Sequence, residues 1–142
     1  MTLEVQSLEP WHAYNLDIQD SQAGILDPAD AENSPGFALV DTDNEEVFCI
    51  FMLIPAVTDP DRISAFTAFS RHLGARRLLF AAREARRWLE KWGQFRRCEA
   101  YCPEHAVDEI HWCRYVLKME LEGKLHSFFV DGQACYVFAK VK

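Results

Sequence analysis

The sequence predicts an α/β (α+β) domain built on a single mixed, mostly antiparallel sheet flanked by helices. Three observations carry that expectation. The run Val47-Phe48-Cys49-Ile50-Phe51-Met52-Leu53-Ile54 is apolar without alternation, which is what a strand covered on both faces requires. Within Arg71 to Trp92, Leu78, Ala82, Ala85, Leu89 and Trp92 recur at helical spacing, while Arg76, Arg83, Arg87 and Glu90 fall largely outside that stripe. Further runs rich in β-formers lie on both sides of this helix, bounded by Gly, Pro, Asn and Asp. A chain of 142 residues that is 49% apolar supplies one two-layered core, so residues 1–142 are expected to form a single domain.

Leu3 to Ser7 alternates weakly and reads as a first strand; Pro10, with Trp11, Tyr14, Leu16 and Ile18 after it, starts a helix. From Gln19 to Gly36 the chain is rich in Asp, Ala, Ser and Pro. Asp27-Pro28 and Ser34-Pro35-Gly36 act there as turn signals, so a loop with one short helix is expected. Phe37 to Val40 and Val47 to Ile54, separated by six polar residues, form a hairpin that Pro55 ends. Ile63 to Phe69 reads as a further strand, with Ser70 as N-cap of the long helix and Gly93 as its stop. Arg97 to Cys102 is then a strand. Val107 to Leu117 is an amphipathic helix with Ile110, Cys113 and Leu117 on one stripe and Asp108 and Glu109 in its first turn. Met119 to Val130 and Ala134 to Val141 close the chain as strands joined by a tight Asp131-Gly132 turn.

Charge is distributed unevenly. Residues 1–61 hold 13 acidic and no basic side chains, residues 62–97 hold ten basic against Glu84 and Glu90, and the remainder carries −2, for a net −7. The basic stretch fits a polyanion or a phosphorylated ligand, the acidic stretch fits a basic partner, and neutralisation of one by the other inside the fold fits both. The acidic total argues against a general nucleic-acid binder. No apolar run reaches the roughly 20 residues of a membrane helix, and Met1-Thr2-Leu3-Glu4 does not open like a secretion signal. Five cysteines cannot all pair within one chain, so reduced thiols and a cytoplasmic setting are expected.

This order of elements resembles the GCN5-related N-acetyltransferase (GNAT) superfamily, best over residues 68–138. Ile110-His111-Trp112-Cys113-Arg114-Tyr115-Val116-Leu117, the strand Lys118 to Glu122 and the Asp131-Gly132-Gln133 turn are similar, more narrowly, to the small acetyltransferase-like proteins of tailed bacteriophages. The resemblance implies an acyl-CoA-dependent N-acyltransferase, with acetyl-CoA as cofactor and an amine or protein as acceptor. In the family a loop of type Arg/Gln-x-x-Gly-x-Gly/Ala opens the long helix and cradles the pyrophosphate, because free N–H groups and the helix dipole favour an anion there. Arg71-His72-Leu73-Gly74-Ala75-Arg76 takes that position, with Arg76 where a small residue is usual and Arg77 adding charge. The acyl group falls to the strand Glu99 to Cys102, at Ala100 and Cys102. The family's Asn aligns near Ala106 and its Tyr near Cys113, with Tyr115 close by, while Glu104, His105 or an acid in the central hairpin are candidate bases among which spacing selects none. The alternative is a catalytically silent GNAT-like module, associated with a virion or bound to a protein partner, in host cytoplasm or in the particle. A weaker option is an acidic mimic of nucleic acid.

Other side-chain constellations compete with this reading. Cys98, Cys102, His105, His111 and Cys113 lie within sixteen residues. Structural zinc sites show tighter pairs such as Cys-x-x-Cys, so the spacing favours buried thiols and no metal. Cys102, His105 and Asp108 compose a nucleophile set on paper, although inert buried cysteine is the commoner outcome. Trp88, Trp92, Trp112, Tyr101 and Tyr115 beside arginines suit base stacking and, more often, a core.

Overall fold

A computed structural model describes residues 2–22, 24, 26–91 and 94–142. The strands are β1 (Leu3–Ser7), β2 (Gly36–Asp41), β3 (Glu46–Pro55), β4 (Arg62–Phe69), β5 (Arg97–Pro103), β6 (Glu120–Leu125) and β7 (Cys135–Val141). The helices are α1 (Pro10–Asn15), α2 (Pro28–Asn33), α3 (Gly74–Lys91) and α4 (Val107–His111). The strands follow the order β1-β2-β3-β4-β5-β7-β6 in one mixed sheet. β1–β2, β2–β3, β5–β7 and β6–β7 pair antiparallel, whereas β4 and β5 run parallel. The predicted fold class therefore holds. Among the described residues no helix is long and apolar enough to cross a membrane.

The chain divides into two compact units, Met1–Ile54 with Ala65–Glu84, and Pro55–Ser64 with Ala85–Lys142. In the first, β2 and most of β3 are buried on both faces, as the unbroken apolar run requires. Ala38, Val40, Val47, Ile50 and Met52 pack with Leu16 and Ala31, and Trp11 and Ile18 close over them. Phe37 stacks on Phe51 at 5.5 Å. In the second unit β5 pairs with β7 along its whole length, from Arg97↔Val141 to Pro103↔Cys135. Its parallel register with β4 covers only Arg62↔Arg97 to Ser64↔Glu99.

Several local expectations need correction. Asp27-Pro28 starts a helix instead of a turn: the Asp27 carboxylate accepts from Ala29 N–H at 2.9 Å, and Pro28 takes the first helical position. Ser70 does not cap α3. Its Oγ accepts from His72 N–H at 3.0 Å within a turn, and the helix begins four residues later at Gly74. Leu78 is exposed, and the buried stripe of α3 is Ala81, Ala82, Ala85 and Leu89. Trp92 and Gly93, expected at the end of this helix, lie outside the described residues. The second predicted helix is α4 followed by a π-helical turn, Trp112–Val116. There Leu117 N–H reaches back to Trp112 C=O, and Lys118, at φ 56°, ends the turn in the left-handed region. Ile110 is only half-buried; Trp112, Cys113 and Leu117 form the buried face. The closing connection is not a tight Asp131-Gly132 turn, since β6 stops at Leu125 and β7 starts at Cys135. Within that loop Gly132, at φ 84°, donates to Phe129 C=O at 2.9 Å.

Candidate functional site

The first unit places an anion-favouring turn at the start of α3. Gly74 adopts φ 74°, a left-handed conformation that costs an L side chain about 1–2 kcal/mol, and it turns the chain from the loop after β4 into an 18-residue helix. The N–H groups of Gly74, Ala75 and Arg76 lie in the first turn, where helical geometry gives them no intrahelical acceptor, and the helix dipole adds partial positive charge there. Arg76 is exposed beside them. Arg77 folds back: its Nη1 donates to His72 C=O at 3.1 Å and to Leu73 C=O at 2.9 Å, and its guanidinium lies 4.1 Å from the Phe48 ring centre.

Arg71 does not point freely toward this turn. Its Nε donates to Asp17 Oδ1 at 2.9 Å, and its Nη2 to Ile18 C=O at 3.1 Å and Asp20 Oδ1 at 3.3 Å. His72 Nε2 lies 2.9 Å from Asp17 Oδ2. The same segment borders the end of β4. Arg71 N–H donates to Asp17 C=O and Gln19 N–H to Phe69 C=O. The buried Gln22 side chain donates to Thr67 C=O and accepts from Phe69 N–H at 2.8 Å. Ser70 N–H, in contrast, donates to Phe48 C=O of β3. Residues 17–22 thus satisfy β4 along the side opposite β3. No local sequence signal announces this strap, because its bonds join residues about fifty apart.

The second unit holds the remaining candidates. Ala100 and Cys102 are buried in β5, where they pair with Phe138 and Tyr136. Cys102 Sγ is 3.5 Å from Cys113 Sγ, and the hydrogen bond with that neighbour, followed by burial, pushes the Cys102 thiol up. All five cysteines are free and buried. Glu104 pairs with Lys124 Nζ at 3.2 Å. His105 Nδ1 is hydrogen-bonded to Gln133 Oε1, and its Nε2 has no partner among the described residues. Tyr115 is exposed, with its ring 5.6 Å from that of His111. Ala106 and Cys113 are buried. Among the described residues no group of three or more His, Cys, Asp or Glu is placed to hold a metal ion.

This unit also holds an acid that no local sequence signal marks. Glu99 of β5 is 3% exposed, and it accepts from Arg62 on both oxygens, from Arg97 Nε at 3.0 Å and from the Tyr101 hydroxyl. Arg97 also forks onto Glu122. The Arg62 hydrogen bond, ahead of the opposing cost of burial, holds the Glu99 carboxyl down to about 2, and the hydrogen bond that the Tyr101 hydroxyl itself donates to Glu99 raises Tyr101. Glu99 is therefore a permanent anion and a weak base near neutrality.

The class these features define is one of fold. The chain has the architecture of the GNAT acetyltransferases, a seven-stranded mixed sheet with flanking helices. An acetyltransferase of the GNAT family from Streptococcus pneumoniae superposes with a TM-score of 0.70 at 13% identity, over 99% of this chain and 100% of that one. The ribosomal-protein-S18-alanine N-acetyltransferase of Escherichia coli superposes with a TM-score of 0.73 at 16% identity, over 99% and 94%. A spermidine/spermine N-acetyltransferase of Vibrio cholerae does so with 0.68 at 12%, over 98% and 92%. No protein-family model matches the sequence, and no curated protein matches it either.

Proposed function

We propose that this chain is an N-acyltransferase of GNAT type that uses an acyl-CoA, acetyl-CoA first among them, to acylate an amine on a small molecule or a protein. The observation behind this reading is the start of α3. A left-handed Gly74 opens a long helix at the place where the family's resemblance expects the pyrophosphate cradle, with Arg76 exposed beside it. The groups present fit such a ligand, since unpaired first-turn N–H groups and a guanidinium are donors only. Acetyl-CoA would supply the thioester: the amine nitrogen bonds to its carbonyl carbon, the C–S bond breaks, a base takes the amine's proton and an acid gives one to the leaving thiolate. Among the second unit's candidate bases for the amine's proton, His105 keeps an Nε2 with no partner among the described residues. Glu104 is tied to Lys124. Tyr115 remains the candidate acid for the thiolate. A CoA thioester donor and free thiols suit a cytoplasmic setting.

Thermal unfolding with and without acetyl-CoA tests the reading. At about a hundredfold excess over Kd, binding adds about 2.7 kcal/mol, which for a chain of this size raises Tm by about 5 °C or more. Gly74→Ala should lower basal stability by about 1–2 kcal/mol through φ alone, because its Cβ would meet only Arg77 Nη1, at 3.4 Å. It should also abolish the response to ligand. A wild-type Tm indifferent to millimolar acetyl-CoA would overturn the donor and leave the silent, protein-binding or virion-associated module as the reading.

A further inference from the structure

The outer face of α3 carries a stripe that starts at Arg76, shared with the proposed donor turn, and runs on beyond it. Arg76, Leu79, Phe80 and Arg83 stand three and four residues apart, so they share one stripe of the helix. Leu79 is 63% and Phe80 38% exposed. With Leu3, Gly74, Ala75 and Arg77 these residues line a cavity of about 750 Å³, so the stripe adjoins the turn proposed for the donor.

The stripe's charge is not neutralised by a carboxylate among the described residues. Arg71 is paired with Asp17 and Asp20, Arg96 with Asp59, Arg62 and Arg97 with Glu99, and Lys124 with Glu104. Arg76 and Arg83 have no such partner among the described residues. A chain of net charge −7, with 13 acids in its first 61 residues, thus leaves two guanidinia open at either end of an apolar pair. Two helical turns separate them, ~10 Å along the axis.

We propose that this stripe docks an acidic peptide segment of a partner protein, bound extended in the pattern acid-x-apolar-x-acid. Alternation in an extended chain puts those three side chains on one face with the carboxylates ~13 Å apart, a span the flexible arginine arms cover from their two turns' separation. The apolar residue then seats on Leu79 and Phe80 between the two ion pairs. A phosphate group would leave that apolar centre unused. A nucleic-acid duplex would bring its own charge against the acids of residues 1–61.

The test is fluorescence polarisation with a fluorescein-labelled peptide of core Glu-Ser-Phe-Ser-Glu, alongside a Lys-Ser-Phe-Ser-Lys peptide and a Glu-Ser-Ser-Ser-Glu peptide. The first should bind, with affinity falling as salt rises, and the other two should bind at least tenfold more weakly. Arg83→Glu and Leu79→Ser should each weaken the first peptide tenfold or more. Both positions are exposed and line the cavity that Gly74 and Arg76 also line, so the two readings are kept apart by the probe: the Tm response of the wild type to acetyl-CoA alone tests the donor, and peptide binding without acetyl-CoA tests the stripe. Equal binding of the Phe and Ser peptides, unaltered binding by Arg83→Glu, or no binding at about 1 mM peptide would each overturn the proposal.

Discussion

Gly36 begins β2 opposite Met52, and a Cβ on it would lie 2.1 Å from the carbonyl oxygen of Phe51. That oxygen belongs to the backbone of a strand buried on both faces, so it has nowhere to move. Overpacking a core costs about 1–3 kcal/mol when side chains can adjust. With backbone as the obstacle, Gly36→Ala should reach at least the upper end of that range, measurable as a shift of the urea midpoint. A shift corresponding to under about 1 kcal/mol would mean that β2 and β3 can separate locally. In the sequence Gly36 reads as a turn glycine after Ser34-Pro35. Its second demand, close approach of a neighbouring strand, has no local mark. Glu99 was hidden for a related reason. Nothing around it distinguishes it from a solvated strand residue, and its partner Arg62 is 37 residues away.

At the scale of elements, the strands and the long helix are legible because each carries its own periodicity. The orientation of α3 was less so. Three consecutive large apolar residues, Leu78, Leu79 and Phe80, offer no unique face, and hydropathy ranks them above alanine. Ala81 and Ala85 are fully buried instead, since small side chains let a helix lie close against its neighbours. The 17–22 strap was legible only as a loop, and its bonding yields an expectation. Gln22→Ala would remove one hydrogen bond each from the Thr67 carbonyl and the Phe69 amide, and two lost hydrogen bonds cost about 1–3 kcal/mol. Stability should fall by about 2 kcal/mol or more, and hydrogen exchange at the Phe69 amide should accelerate. Unchanged protection of that amide would show that Gln22 is not what holds the strap to β4.

For the molecule as a whole, acid should act in two stages, because two buried groups titrate on folding in known directions. His12 of α1 is fully buried; its Nδ1 accepts from Glu9 N–H at 2.9 Å, so its proton sits on Nε2, which donates to Gln6 Oε1 at 2.9 Å. Desolvation lowers its pKa from 6.5, outweighing the opposing influence of Glu9. The unfolded chain therefore binds the proton first. The stability His12 contributes is complete above pH 6.5 and falls as the pH drops below it. Glu99 acts lower on the scale, since its folded pKa of about 2 lies under the ordinary 4.5. Its contribution is complete above pH 4.5 and lost toward pH 2, and such a shift corresponds to at most about 3 kcal/mol. Denaturant unfolding from pH 8 to pH 2.5 should thus show a first decline beginning near pH 6.5 and a second beginning near pH 4.5. Glu99→Gln should be less stable than the wild type at pH 7, and the gap should narrow as the pH falls from 4.5 toward 2.5, where the unfolded chain's Glu99 is protonated while the folded one keeps its charge at a growing cost. A gap of constant size across that range would mean that Glu99 contributes through packing, and that the Arg62–Glu99–Arg97 cluster is not an electrostatic anchor of its unit.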